Sequence, residues 1–594
     1  MASFRGETGR TLDGEREMSA EDETKVVVDV LVAGAGPSGL LLANELVRRG
    51  AGAGRIKVRV VDAALGPSEH SKALAVQLNS LEIFHDLGVA ARALSEGKSL
   101  ASNTVFAGKG CKQELKIKLD SLPGESPFPG ILILPQSRTE KILLDNLKSL
   151  GGNVEYGTEL VGFSNTKDGL VECRLRAGGR EFTVLARHLV GTDGAHSAVR
   201  HGLGMKFTGH KLEGEFLLAD CDIDEEGGGK IFDGTGAIGK IEGGMGGFFP
   251  YARDGGASWR AIITRREEDS GAQASLAEVQ RALDFLPTKA TARSPRWISV
   301  FALHSRQVES YGSGTTFLAG DAAHIHSPAG GQGMNLGLAD SQNLAWKLAM
   351  AVQGCASPGL LDTYSEERHP VGRRILTSTD AVFAGMTSPG VLSRAARGIL
   401  FSSFGRKRIL PILSARAPKM VSQLWVNYRA SSLSQEVLPW KPWGSWPLHA
   451  GDRLPFLTLA STEKSTTTLD LKRGTSFVLV LFCSSEGAAD LLLSGLDAAR
   501  EALEPIAAGP GLEVSMIVDF MLKADATAGD LCSHASSPAA SALSLFRVED
   551  SADFKQKFGL KDGIALVRPD GYVGYLEALG MKSQLSSYVR RLTK

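Results

Sequence analysis

Hydrophobic positions first cluster at Val26 to Val32, where VVVDVLV forms a continuous apolar run. The turn AGAGPSG follows, then LLLANELVRR repeats its apolar residues at helical spacing up to Gly50, and IKVRVVD forms a second apolar strand. Strand, glycine turn, helix and strand predict a βαβ unit. Between Phe207 and Ala302 the pattern changes to short apolar stretches broken by glycines, as in GGGKIFDGTGAIGKIEGGMGGFFPY, which predicts an antiparallel sheet facing the substrate. From Thr379 to Gln435 the chain reads as helical and basic, interrupted at Pro389, Pro411 and Pro418, and KPWGSWPLHAGDRLP reads as a linker. A domain boundary is therefore expected near Pro447. Beyond it, SFVLVLF, LEVSMIVDF and GIALVRPDGYVGYL predict three strands between helical stretches, a small α/β domain.

Composition narrows the function classes. A chain of 594 residues exceeds one hydrophobic core and implies two to four domains. Its 66 basic and 66 acidic residues cancel, which argues against a nucleic-acid binder relying on non-specific phosphate attraction. The six cysteines are widely spaced without a C-x-x-C pair, so reduced thiols in a cytoplasmic protein are expected rather than a zinc site or a disulfide framework. Residues 1–24 are polar and charged, which predicts a disordered tail. No apolar stretch approaches the roughly 20 residues of a membrane span.

The candidate chemistry sits at three strand ends. In Gly34-Ala-Gly36-Pro37-Ser38-Gly39 the G-x-G-x-x-G spacing lets backbone amides approach a pyrophosphate at a helix N-terminus. Asp62, 23 positions beyond Gly39, stands where an acid accepts hydrogen bonds from an adenosine ribose. HLVGTDGAHSAVR places Asp193 at a second strand end, and FLAGDAAHIHSPAGGQGMNLGLADSQNLAWKLA places Asp321 at a third, ahead of a long helix. The loop Gly330-Gly331-Gln332-Gly333 lets amides approach a flat ring, and the helix from Met334 aims its positive end there.

These segments resemble the class A flavoprotein monooxygenases, the phenol hydroxylase and p-hydroxybenzoate hydroxylase family, over about Val26 to Pro370. The resemblance implies bound FAD, with NADPH or NADH and O₂ as co-substrates and a small aromatic, phenolic or polyketide-derived compound as substrate. It implies that Asp193 contacts pyrophosphate and helps to bind the nicotinamide cofactor, that Asp321 binds the ribityl chain, and that Gln136 touches the flavin. Lys72 stands where the family places a positive residue near the nucleotide, usually arginine, so the bidentate fork is lost. Pro328, Gly331, Gly333, Met334 and Asn335 fall in the loop on which the isoalloxazine rests, where a helix N-terminus stabilises the reduced, anionic flavin. The reaction implied is hydride transfer to FAD, formation of a C4a-hydroperoxide, and hydroxyl transfer to an electron-rich ring carbon. AGDRLPFLTL and ALVRPDGYVGYL, with NYRASSL more loosely, are similar to the thioredoxin-like C-terminal domain of the phenol hydroxylase branch, without its redox cysteines, for which a structural or homodimer-contacting role is expected.

The fold class implied is α/β: a Rossmann-like FAD-binding domain of the glutathione-reductase type over 25–206 and 303–378, with an inserted antiparallel β-sheet substrate domain over 207–302. A helical linker over 379–447 and the thioredoxin-like domain over 448–594 complete it. A base or hydrogen-bond acceptor is expected near the substrate, and His304, His210, Tyr251 and Arg260 are the candidates in or beside the substrate sheet. His324 and His326 lack the neighbouring carboxylates or cysteines of a metal site, so no metal is expected. A halogenase of the same framework would carry W-x-W-x-I-P, and a common Baeyer-Villiger enzyme a second G-x-G-x-x-G; both are missing. Epoxidation or ring-oxygen insertion on the same fold, reduction of isoprenoid double bonds, and a non-catalytic flavin-binding protein are the alternatives.

Overall fold

A computed structural model describes residues 27–50, 56–69, 73–107, 113–119, 122, 124–225, 235–241, 244–253, 256–327, 330–387, 398–399, 402, 404–441, 446–460, 465–518 and 544–594. The expected tail, Lys72, Pro328 and Pro389 lie outside these residues.

The apolar run becomes the strand Val27–Ala33, paired in parallel with Val58–Asp62 on one side and Arg180–Gly191 on the other. Thr316–Leu318 extends the sheet in parallel beyond Arg180–Gly191, and Val154–Tyr156 extends it beyond Val58–Asp62. Because such a sheet is covered on both faces, its strands are apolar without alternation, and Val30, Leu31 and Val32 are fully buried. The helix Pro37–Arg49 opens with proline in its first turn, where no amide is required, and closes at Gly50. The helices Gln136–Ser149 and Gly333–Val352 pack on it.

The second sheet is built on the long antiparallel pair Thr208–Glu225 and Ala290–Gln307, with Gly256–Thr264, Gly244–Arg253 and Gly236–Ile241 stacked beside it. It reaches past the expected limits of 207–302, because Ser102–Ala107 and Gln113–Lys118 join its edge and the Ala290–Gln307 strand runs on to meet His324–Ile325. One face buries Leu217, Phe248, Trp259 and Ile263 beneath the helix Leu276–Leu283, which starts in a Ser275/Glu278 capping box. The other face looks toward the segment Ala73–Val76.

In the third sheet Phe477–Cys483 is central, parallel to Leu512–Val518 and antiparallel to Gly563–Val567. The single strand expected over GIALVRPDGYVGYL is instead a hairpin of Gly563–Val567 and Val573–Ala578. Pro569-Asp570-Gly571 makes the turn, with Gly571 at φ +83°. Gln435–Val437 pairs with this hairpin, so the sheet recruits residues from before the expected boundary at 447. The expected break at 379 is bridged by the helix Asp362–Thr387, and Pro418 lies inside the helix Leu410–Ser422 instead of ending it.

The C-terminal sheet is joined to the first domain by buried charge. Arg568 makes two bonds to Glu367, at 2.6 and 2.9 Å, and pairs with Asp570; Lys347 reaches Glu367 at 2.8 Å, and all four side chains are essentially inaccessible. A second contact sets Arg453 and Lys472 on Glu82. Among the described residues no helix is long and apolar enough to cross a membrane.

Candidate active site

The three glycine-bearing strand ends meet. Thr192 donates through its amide to Ala33 O and through its hydroxyl to Gly34 O, joining the second strand end to the first. The Ala319 amide donates to Gly191 O, which brings in the third. Ser341, on the Gly333–Val352 helix, donates to Ser38 O at 2.8 Å, and a Cβ on Gly320 would fall 2.5 Å from the Ser38 hydroxyl.

The glycines of the first turn divide by purpose. Gly34 has φ +103° and its missing Cβ would lie 2.5 Å from Thr192 O, while a Cβ on Gly39 would collide with Gly34 O; both are required by the fold itself. Gly36 is different: among the described residues, its two neighbours in the chain aside, no atom lies within 4 Å of its Cβ position. The same is true of Gly194 at φ +77° beside Asp193. Asp193 Oδ2 accepts the amides of Ala198 and Val199 at 2.7 and 3.2 Å, whereas its Oδ1 is buried with no hydrogen-bond partner among the described residues. Burial pushes the Asp193 carboxyl above its ordinary range. Asp62 accepts the amides of Ala35 and Ala64, at 2.7 and 2.8 Å, and Asp321 is exposed at the head of the Gly320–Ala322 turn.

The Gly330–Gly333 loop, the expected resting place of the ring, is held from both sides. Gly330 and Gly331 have φ of +81° and +61°, and a Cβ on Gly331 would be 2.8 Å from Ala75. Asn335 donates to Ala75 O and Gly331 O and accepts the Gln77 amide, while Gln77 donates to Gly330 O. The helix that follows, from Gly333 through Met334, carries no side-chain cap. Gln136 accepts the Ala73 amide at 3.1 Å and donates to Glu140. Open space at Gly36 and Gly194, an unpartnered carboxylate oxygen, and an uncapped helix behind a positive-φ loop fit a dinucleotide whose flat ring ends on that loop.

Across Ala73–Val76 stands the polar face of the second sheet. Arg260 is fully buried, bound to Asp220 by two bonds of 2.7 Å, and donates to Ala73 O at 3.3 Å. Tyr251 and Phe249 sit with Leu74, Leu100, Ile131 and Ile133 in one apolar cluster, and Ala75 packs against it. Burial, with Asp220 adding to it, pushes the Tyr251 phenol up. His210 and His304 are elsewhere. His210 is ten positions before Asp220 on one strand, about 30 Å at 3.3 Å per residue. It is 3.8 Å from Asp380 and 60% exposed, and His304 lies beside Arg306 and Lys211, burial and these cations pushing its pKa down.

The residues 27–379 match the family model described as "FAD binding domain". Over 467 residues the chain is 34% identical to a flavin-dependent monooxygenase of Mycobacteroides abscessus, covering 76% of this chain and 88% of that one. It is 39% identical over 360 residues to 6-methylpretetramide 4-monooxygenase of Streptomyces rimosus, a match that spans 59% of this chain and 60% of that one. A crystal structure of aklavinone-11 hydroxylase in ternary complex with FAD and aklavinone superimposes with a TM-score of 0.71 at 25% identity, covering 95% of this chain and 98% of the other.

The chain belongs to the class A FAD-dependent aromatic monooxygenases. FAD is the cofactor of this family, and NAD(P)H its typical reductant. In this monooxygenase the structure adds residues around the cofactor region that sequence reasoning passed over. Gln77 bonds the Gly330–Gly333 loop from outside, and within that loop Gln332 accepts from the buried Gln423 at 2.8 Å. Glu140 is buried near Asp62, and burial, reinforced by Asp62, pushes its carboxyl up to about 7. A Q-x-x-x-E spacing opening a helix put Glu140 one turn from Gln136, and that spacing was the available signal. His324 is fully buried and bound to Asp340 at 2.6 Å, which Arg368 also holds at 2.8 Å, so this histidine serves an internal ion network. Among the described residues no group of three potential metal ligands occurs.

Proposed function

We propose that this monooxygenase uses NADPH or NADH and O₂ to hydroxylate an electron-rich aromatic ring, phenolic or polyketide-derived. The observation that carries the reading is the single segment Ala73–Gln77, which touches both the ring-binding loop, through Ala75 and Gln77, and the polar sheet face, through Ala73 and Leu74. A flat substrate placed against that sheet would face the flavin ring. Bound FAD supplies hydride acceptance from the nicotinamide and the activation of O₂ for transfer of one oxygen atom. The chain's share is binding, orientation and exclusion of water. Asp62, Asp193 and the amides after Gly36 would hold the nucleotide, Asp321 the ribityl hydroxyls, and the amides from Gly331 to Met334 the ring's pyrimidine edge. Leu74, Leu100, Ile131 and Ile133 make the wall that keeps water from the reacting atoms.

The names of the relatives support this substrate class: one acts on 6-methylpretetramide, and another is solved with aklavinone. We assign the C-terminal sheet, with its parallel Phe477–Cys483 and Leu512–Val518 strands and its antiparallel hairpin, to a thioredoxin-like domain with a structural or homodimer-contacting role. The partition into FAD-binding, substrate-sheet, helical and C-terminal parts, and a cytoplasmic location, belong to the same reading.

The test is oxidation of NADPH and NADH against a panel of phenols with mass spectrometry of the products. Gain of one oxygen with little peroxide is expected; peroxide alone counts against the reading. Gly36→Val supplies the internal control: since no described residue beyond its neighbours surrounds that Cβ, the variant should fold with the melting temperature of the FAD-free parent and yet be colourless.

A further inference from the structure

The Ala290–Gln307 strand departs from its partner at one place. Asp220 pairs with Trp297 and Asp222 with Arg293, so Cys221 alone faces the three residues Ser294, Pro295 and Arg296. Ser294 has φ +48°, in the left-handed region that residues other than glycine seldom occupy. Bulges of this kind re-aim a side chain, and a strained residue within one invites a search for what it positions.

The side chain re-aimed here is Arg296. Its Nη1 donates to Asp222 at 2.9 Å, and the guanidinium lies beside the Tyr251 hydroxyl. Its Nε and Nη2 are buried with no hydrogen-bond partner among the described residues, and the side chain as a whole is 23% exposed. Those two nitrogens form one edge of the guanidinium, the fork that binds two oxygens side by side. Arg260, by contrast, spends the corresponding fork on Asp220. Leaving a buried fork unmet is costly unless something fills it. The edge lies on the substrate side of the sheet: Asp222, Ser258 and Tyr251 form one connected polar group, and Tyr251 packs with Leu74 and Ala75, the segment that abuts the ring-binding loop.

We propose that Arg296, steadied by Asp222 and Tyr251, is the anchor of the aromatic substrate and that it recognises a pair of neighbouring oxygens carrying negative charge on the ring system. This rests on the aromatic reading above. Two sources offer that chemistry, an ionised phenol beside a ring carbonyl and a ring carboxylate. Tyr251, kept protonated, donates to the same oxygens.

The experiment uses full-length, FAD-loaded protein and three probes: 1,8-dihydroxyanthraquinone, its dimethyl ether, and anthraquinone-2-carboxylate. Binding is read from the change in the flavin visible spectrum. Wild-type protein should bind the dihydroxy compound or the carboxylate about tenfold or more tightly than the ether, the better of the two naming the source, since a hydrogen bond to a charged group contributes that order of selectivity. Arg296→Met should erase the preference while flavin content and melting temperature stay unchanged, Arg296→Lys should restore part of it, and Tyr251→Phe should weaken it less. An Arg296→Met protein that still prefers the charged probe overturns the assignment, as does equal affinity of wild-type protein for all three. If none of the probes binds to wild-type protein, the aromatic reading itself falls and takes the anchor with it.

Discussion

Ser341 donates its hydroxyl to the carbonyl oxygen of Ser38 across 2.8 Å, tying the helix behind the Gly330–Gly333 loop to the helix behind the Gly34–Gly39 turn. The contact is so close because Gly337, one turn earlier, has no side chain: a Cβ there would collide with the Ser38 hydroxyl and come within 3.0 Å of Gly320 Cα. Gly337→Ala should therefore separate the two helices. Overpacking of this kind costs about 1–3 kcal/mol. We expect a lower melting temperature and weaker retention of FAD, measured by thermal denaturation with and without added cofactor. An Ala variant as stable and as yellow as the parent would show that the junction can yield.

Asp193 does two things at once. Its Oδ2 caps the start of the Ala198–Gly202 helix, and its Oδ1 is buried with no hydrogen-bond partner among the described residues. Asp193→Ala should lose about 1 kcal/mol through the cap. Asp193→Asn retains an oxygen for the cap and should lose less. Both should raise the KM for NADPH more than they lower bound flavin, if the nicotinamide cofactor is what the open carboxylate meets. Steady-state kinetics with FAD content measured on the same samples decides it.

The parts of the site legible in sequence are those in which backbone geometry speaks through glycine. Gly34 and Gly36 follow the strand Val27–Ala33, Asp193 follows Arg180–Gly191, and Gly331 lies in the loop before the Gly333–Val352 helix, so each could be singled out without tertiary information. Tyr251 and Arg260 could be listed but not told apart from His210 and His304, because strand pairing decides which positions along a long strand meet Ala73. The edge hairpin of Ser102–Ala107 and Gln113–Lys118 was invisible for the same reason, as Ser102–Ala107 joins the sheet through Gly236–Ile241, more than a hundred residues away. Arg568, Asp570, Lys347 and Glu367 carry no mark in the sequence, and only the fold shows that they satisfy one another in the interior. The hairpin turn at Pro569-Asp570-Gly571 was legible and was passed over for a longer strand.

That buried cluster predicts how firmly the C-terminal sheet is held. Burial would raise the Glu367 carboxyl, yet the Arg568 and Lys347 cations outweigh it and hold the group well below its ordinary range. Arg568→Met leaves Glu367 in the interior with Lys347 alone and frees Asp570 as well. Breaking one partner of such a pair costs about 3–5 kcal/mol. Urea denaturation should show that loss, and Glu367→Gln combined with Arg568→Met should cost less than the two single changes added together, since they share one interaction. Strict additivity would mean that the two side chains stabilise the fold independently.

Glu140 makes the sharpest pH prediction, for the FAD-free protein. Burial, with Asp62 adding to it, lifts its carboxyl from an ordinary 4.5 to about 7. Between those two values the unfolded chain releases this proton while the folded chain keeps it, so the group's contribution to stability falls as pH rises through that window and stays low above it. The total is on the order of 3 kcal/mol for a shift of this size. Glutamine at this position cannot ionise and keeps the same shape, so Glu140→Gln should match the parent near pH 4.5 and surpass it near pH 8. Melting temperatures of both proteins measured across that range test the sign directly, and a variant that lost stability relative to the parent at pH 8 would mean that the Glu140 carboxylate is favoured in the folded protein.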